Sequence, residues 1–378
     1  MSKNVLITGG AGFIGSTIAL KLLKKGYQVT VLDSLSPQIH GENPDNSELY
    51  QRIKGKVNFI KGDVRNRQDW EKALENQNII VHLAAETGTG QSMYDIQKYV
   101  DINIGGTALL WDILTNKKTA VEKVVVASSR AIYGEGRYHC AKDGDVYPIE
   151  RRDEDMAKGD FEVKCPICNG EVELVGTTED SKIHPTSTYG LTKHTQEELS
   201  LMIGKSIGIP VVTYRYQNVY GPGQSLKNPY TGILSIFSTI IKNGNDINIF
   251  EDGLETRDFV YIDDVADATI LGIEKEEANF HSFNVGTGEK TDVLTVAKTL
   301  IEKYGIPTEV KVSGNYRLGD IRHNFADISL IHNLLGFTPK VSFDEGIGHF
   351  ADWVNQQEIE KDNYEASIAE MKEKGLYK

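Results

Sequence analysis

One stretch near the N-terminus restricts the fold more than any other: residues 4–34, NVLITGGAGFIGSTIALKLLKKGYQVTVLDS. Residues 5–8 are a short apolar run, β-branched apart from Leu6, and read as a buried strand. Gly9, Gly10, Gly12 and Gly15 follow, and Ile14, Ile18, Leu22 and Leu23 then recur at helical spacing. Gly26 stands where helices commonly end. Residues 29–32 read as a second strand, closed by Asp33.

A glycine-rich turn between a strand and a helix, with an acid about twenty residues on, is suited to a dinucleotide. Gly9 lets the chain turn sharply, Gly12 lets the backbone approach a pyrophosphate, and Gly15 permits close helix–strand packing. Phe13 and Ile14 complete the turn into the helix, whose free N–H groups and dipole favour phosphate. Asp33 suits the two ribose hydroxyls of NAD and would repel the 2′-phosphate of NADP. The spacing is G-x-x-G-x-x-G rather than G-x-G-x-x-G, which points to a separate branch of dinucleotide enzymes.

Strand and helix patterns keep alternating downstream, which predicts an α/β fold: a Rossmann-type, doubly wound parallel sheet with ligands at the carboxyl ends of its strands. Those ends carry Asp63 and Val64, then Leu83, Ala84 and Ala85, then Ser128 and Ser129, then residues 215–221. A helix is expected over about 95–114, with Asn103 on it. Residues 1–214 are predicted to be the NAD-binding domain, interrupted by an insertion at about 136–182. Residues 215–378 are predicted to form mainly a smaller substrate lobe, with some segments returning to the first domain. The charged C-terminal tail reads as a solvated helix.

The bulk numbers exclude other classes. The chain has 378 residues, 39% hydrophobic and 25% charged, with no apolar run long enough to span a membrane. A formal charge of −13 opposes binding to nucleic acid, which depends on Lys and Arg displacing counterions. Three cysteines, an odd number, and no leader-like N-terminus suggest a reducing, cytoplasmic setting.

Tyr189 and Lys193, in PTSTYGLTKHTQEEL, lie four apart and hence on one helix face. A lysine ammonium beside a phenol favours the phenolate, so Tyr189 can serve as a general base, with Ser129 bonding the same substrate oxygen. The motifs TGGAGFIG, GDVRN, HLAA, NIGGT, SSRAIYG, YGLTK, RYQNVYGP, RDFVYIDD and NVGTG run in order from residue 5 to about 290, with RLGDIR beyond. In these the chain resembles the extended short-chain dehydrogenase/reductases of the NAD-dependent sugar-nucleotide epimerase/dehydratase group. The resemblance implies Ser129, Tyr189 and Lys193 as catalytic residues, and NAD held by the glycine turn, Asp33, Asp63, Val64, Leu83, Ala84, Ala85, Asn103, Ser128, Tyr189 and Lys193. It places Thr87, Arg130, Asn218, Asn228, Arg257, Arg317 and Asp320 around a dTDP-, UDP- or GDP-linked sugar, and it implies a homodimer through the Tyr–Lys helix and the helix after Asp95.

Dehydratases of the group carry an Asp–Glu pair after the serine or threonine, where this chain has Arg130 and Ala131. Elimination of water then lacks its acid, which favours a 4-epimerase passing through a 4-keto sugar. The alternatives are another NAD-dependent conversion of a nucleotide sugar, by oxidation, decarboxylation or dehydration, or a silent nucleotide-sugar binder. Arg130 itself suits a phosphate or sugar contact, or a salt bridge to the insertion.

Ser129 and Tyr189 are sixty residues apart, and that span holds all three cysteines. Cys165-Pro-Ile-Cys168-Asn-Gly has the form of a zinc knuckle, and Cys140-Ala-Lys-Asp143-Gly repeats it with Asp143 at the second ligand position. Four closed ligands suit a structural zinc, so Cys140, Asp143, Cys165 and Cys168 are the candidate set, with His139 or His184 as alternatives to Asp143.

Overall fold

The fold is described from a computed structural model that covers residues 3–227, 232–317, 319–359, 369 and 372–374. Asn228 and most of the C-terminal tail lie outside these described residues. The main sheet has seven parallel strands: β1 Asn4–Thr8, β2 Gln28–Asp33, β3 Asn58–Lys61, β4 Ile79–His82, β5 Lys123–Ser129, β6 Val211–Tyr216 and β7 His281–Val285. Their spatial order is β7-β6-β5-β4-β1-β2-β3. The order reverses between β1 and β4, with Thr8 beside His82, and there the connections leave the carboxyl ends of the two strands in opposite directions, which opens a crevice.

Both faces of this sheet are covered, so its strands are apolar throughout. Val5 and Ile7 pack with Ile18, Ala19 and Leu22, beneath the helices Phe13–Lys24 and Ile262–Glu274. Leu6, between them, points the opposite way and packs with Trp70, Leu110 and Trp111. Arg67–Ala73, Gly106–Asn116 and Thr188–Ile207 cover that second face. This is the doubly wound arrangement that the sequence predicts.

Two details differ from the sequence reading. The helix expected over 95–114 is interrupted: an α-turn Ile96–Tyr99 leads into a π-helical stretch, Val100–Gly105, and then into Gly106–Asn116. The wider turn draws Asn103 wholly inside. The strand expected to end the first domain, β6, runs on to Tyr216, so the chain leaves the sheet only after that residue.

The smaller lobe has its own core, including Leu234, Phe237, Ile241, Phe259, Val296, Leu300 and Phe350. Short strand pairs join it: Asn218–Tyr220 with Phe259–Tyr261, Ile247–Ile249 with Val310–Val312, and Thr256–Arg257 with Thr291–Asp292. The helix Ile262–Glu274, strand β7 and the helix Ser329–Leu335 return to the main sheet, where Ile270, Phe283, Ile331 and Leu335 are buried. The insertion forms a three-stranded antiparallel sheet with Tyr138–Cys140 between Gly144–Val146 and Glu173–Leu174. Among the described residues, no helix is long and apolar enough to cross a membrane.

Candidate active site

A cleft of about 840 Å³ opens at the carboxyl ends of the strands. At one end lies the glycine turn. Gly9 has φ +67°, and a Cβ there would stand 2.9 Å from the Ala84 amide nitrogen, so only glycine fits against the end of β4. Gly12 caps the helix Phe13–Lys24, and its added Cβ would touch only the Gly9 carbonyl, at 3.2 Å. At the end of β2, Asp33 accepts the Ala11 and Leu35 amides, at 2.9 and 2.8 Å. Burial raises its pKa, and those two amides oppose the rise. Each carboxylate oxygen still has room for a further donor, as a ribose diol requires.

At the other end, β5 delivers Ser128 and Ser129, and the helix Thr188–Ile207 delivers Tyr189 and Lys193. That helix is fixed at its start and at its middle. Ser187 caps it through the Gly190 amide, and the buried Glu197 holds Arg215 of β6, with Nε to Oε1 at 3.0 Å. Ser129 and Arg130 both lie near enough to the Tyr189 phenol to act on it, and the three line the same end of the cleft. Burial raises the phenol pKa, while Ser129 and the Arg130 charge oppose the rise. Burial lowers the Lys193 pKa to about 7, with Glu197 opposing.

Lys193 is 3% exposed and has no hydrogen-bond or ion-pair partner among the described residues. A buried, cleft-lining amine without a partner fits a ligand hydroxyl. The Ser128 hydroxyl is likewise buried and unpaired beside it. The glycine turn, the open helix N-terminus, Asp33 and these two orphan groups together fit a dinucleotide laid along the cleft.

A profile of the NAD dependent epimerase/dehydratase family matches residues 5–154 and 169–286. The chain belongs to that family. It is 38% identical over 363 residues to a dTDP-L-rhamnose 4-epimerase of Burkholderia thailandensis, covering 96% of this chain and 97% of that one. In structure it is similar to a UDP-glucose 4-epimerase of Thermotoga maritima solved with UDP-glucose, at 29% identity and TM-score 0.76, over 93% of this chain and 99% of that one. It is also similar to a UDP-glucuronic acid 4-epimerase of Bacillus cereus in complex with UDP-glucuronic acid and NAD, at 28% identity and TM-score 0.75, over 93% and 99%.

In this family member the cleft is lined by Gly9, Gly12, Phe13, Ile14, Gly15, Asp33, Asp63, Val64, Leu83, Ala84, Ala85, Thr87, Ser128, Ser129, Arg130, Tyr189, Lys193 and Asn218. Asn103 is not among the lining residues. Its side chain accepts the Glu86 amide at 2.8 Å and donates to Thr192 at 2.9 Å, so it ties the loop after β4 to the catalytic helix. Asp63 pairs its carboxylate with Arg65, at 2.6 Å, and both residues line the cleft.

Arg257, Arg317 and Asp320 come together, but beside the cleft rather than in its wall. Arg317 pairs with Asp320 at 2.9 Å, and Arg257 approaches it at 3.4 Å. Burial opposes ionisation of Asp320, yet Arg317 and Arg257 outweigh it and hold its pKa at about 2. Arg257 also donates to the Ile321 and Arg322 carbonyls, at 2.7 and 2.9 Å. Arg130 links this cluster to the cleft, because its charge acts on both Tyr189 and Arg257. It has no hydrogen-bond or ion-pair partner among the described residues, so it does not anchor the insertion. Arg151 and Arg322 do so instead, through Glu251, Glu135 and Glu162.

Two groups outside the predicted set also face the cleft. Gln217 lines it with both carboxamide atoms buried and unpaired. His40 stands 4.0 Å from Asp33 and 2.8 Å from Ser47, and nothing in its local pattern signals that position.

Proposed function

We propose that this protein inverts the 4-hydroxyl of a nucleotide-linked sugar, with Tyr189 as the base and NAD as a resident redox partner. The observation that carries this is the gathering of Ser129, Tyr189 and an unpartnered Lys193 at one end of the glycine-cradled cleft. Bound NAD supplies an acceptor for the sugar's 4-hydride and later returns it. The chain's residues do the rest. Tyr189 removes the 4-hydroxyl proton, and Ser129 holds the same oxygen. Lys193 and Ser128 orient the nicotinamide ribose, and Asp33 the distant one. Arg130 keeps the phenol within reach of its ionised form. Ala131, buried and without a proton to give, leaves no acid for dehydration. Turnover of the 4-keto sugar to its other face within the cleft completes the inversion.

The preferred substrate is a dTDP-linked 6-deoxyhexose, supported by the 38% identity to the dTDP-L-rhamnose enzyme along nearly the whole chain. A homodimer is proposed through the outer face of the Tyr–Lys helix and the neighbouring stretch. Leu191 and Met202 are 52% and 59% exposed there, beside Met93, Ile96 and Val100 at 40%, 52% and 37%. The test is incubation of the purified protein with dTDP-, UDP- and GDP-sugars without added NAD. A 4-epimer from the dTDP-6-deoxysugar supports the reading. Turnover confined to UDP- or GDP-sugars rejects the substrate, and no product from any of them rejects the activity.

A further inference from the structure

The insertion brings four ligand groups from two turns, 140–143 and 165–168, to one point. Sγ of Cys140, Cys165 and Cys168 and a carboxylate oxygen of Asp143 all lie within 4.8 Å of one another. Asp143 Oδ2 is 3.4 Å from the Cys140 sulfur and 3.2 Å from that of Cys165, and the Cys140 and Cys168 sulfurs are 3.6 Å apart. His139, an alternative ligand by sequence, turns away to Asp145 at 3.1 Å, and His184 is not part of the group.

A second observation is independent of this convergence. The Cys165 sulfur accepts the Ile167 amide, two residues on, at 3.4 Å. A backbone N–H aimed at a sulfur suits a thiolate, which is an acceptor only. The backbone is shaped for this: Gly144 and Asn169 take φ +76° and +59° just beyond each turn. A third observation is how small the insertion's apolar core is around the sulfurs. Met156 and Phe161 pack with Tyr316 of the small lobe, which leaves Tyr138, Cys140, Val146, Val163 and Cys165 as the buried cluster there, and two of those five are ligand candidates. So small a core needs a further staple.

We propose that Cys140, Asp143, Cys165 and Cys168 bind one structural zinc ion that closes the insertion. Three sulfurs and one oxygen suit tetrahedral zinc, whereas calcium and magnesium take oxygen ligands throughout. All four positions come from protein, and none of the four residues lines the catalytic cleft, so the ion has no open site for chemistry.

The site reaches the substrate lobe through a short arm. Three residues before Cys165, Glu162 accepts from Arg322 at 2.6 Å and meets His323 at 3.2 Å. Farther up the insertion, Arg151 bonds both Glu251 oxygens at 2.8 Å and the Asp320 carbonyl at 2.9 Å. The zinc therefore fixes an arm that braces the loop carrying Asp320.

The test begins with metal analysis of protein expressed with zinc and purified without chelator. About one zinc per chain is expected, with X-ray absorption showing three sulfurs near ~2.3 Å and one oxygen near ~2.0 Å. Less than about 0.2 zinc per chain, or a Cys140–Cys168 disulfide in the intact protein, overturns the proposal. Cys165→Ser should lose the metal. Should that variant fail to fold, Asp143→Cys still decides the fourth ligand. It should keep one zinc with four sulfurs, and a count unchanged at three removes Asp143 from the site. Hydrogen exchange adds a readout independent of activity. Removing the metal should speed exchange in residues 136–182 and leave the catalytic helix unchanged, and equal rates with and without metal would refute the staple.

Discussion

The two glycines at the mouth of the cleft separate folding from cofactor binding. In Gly9→Ala the new Cβ meets the Ala84 amide nitrogen and Cα, at 2.9 and 3.0 Å, and these are backbone atoms that cannot swing away. The residue must also keep φ +67°, which costs a non-glycine about 1–2 kcal/mol. Adding about 1–3 kcal/mol for the overlap gives a loss of about 2–5 kcal/mol. Gly12→Ala differs: its backbone is at φ −73° and its Cβ approaches only the Gly9 carbonyl, at 3.2 Å. Exchanging glycine for alanine at a helix N-cap costs about 1 kcal/mol or less. The methyl would, however, stand where the pyrophosphate must approach, and an affinity loss of about a hundredfold, ~2.8 kcal/mol, is expected for NAD. Urea unfolding of the cofactor-free proteins and calorimetric titration with NAD measure the two effects separately. The reasoning is refuted if Gly12→Ala binds NAD as the wild type does, or if it loses as much stability as Gly9→Ala.

Lys193→Met should abolish turnover and change how stability depends on pH. The lysine's native pKa of about 7 lies below its ordinary 10.5, so the unfolded chain binds more protons between those values and stability rises with pH there. Urea unfolding of the cofactor-free variant should show that rise flattened; an unchanged slope would contradict the burial of the ammonium. Glu197→Ala strands Arg215, whose side chain is 7% exposed, and a loss of about 3–5 kcal/mol is expected in the same assay; less than about 1 would mean that the pair contributes little. Arg130→Met should lower turnover about ten- to hundredfold at neutral pH and move the rising limb of the pH–rate profile to higher pH, because it removes a charge that favours the Tyr189 phenolate. A uniform loss with an unmoved profile would make Arg130 a substrate contact only.

Local pattern made most of the frame legible. The apolar run, glycine turn, periodic helix and closing acid of residues 4–34 each obey a short-range rule, and the cleft they predict is present with Tyr189 and Lys193 at its far end. What was not legible depends on partners far along the chain. The hydrogen bond from Asn103 to Thr192, 89 residues away, arises only because the π-helical turn carries Asn103 inward. Arg215 meets Glu197 only because β6 packs against the catalytic helix, and Arg322 meets Glu162 only because the insertion folds over the small lobe. Lys193 illustrates a further limit: helical spacing puts it on the same face as Tyr189, but not how far burial reduces its charge. Charge balance in a buried site follows from every element around it, and no single segment contains that information.

The central claim is a redox-neutral inversion with Tyr189 as base. The direct measurement follows dTDP-L-rhamnose carrying deuterium at the 4-carbon, by NMR for the 4-epimer and by absorbance for NADH, in the wild type and in Tyr189→Phe. The account predicts a 4-epimer that keeps its deuterium, no accumulation of NADH, and a loss of about 10²–10⁴-fold in the variant with NAD still bound. Deuterium lost to solvent, NADH rising in step with product, or a Tyr189→Phe variant as active as the wild type would contradict it.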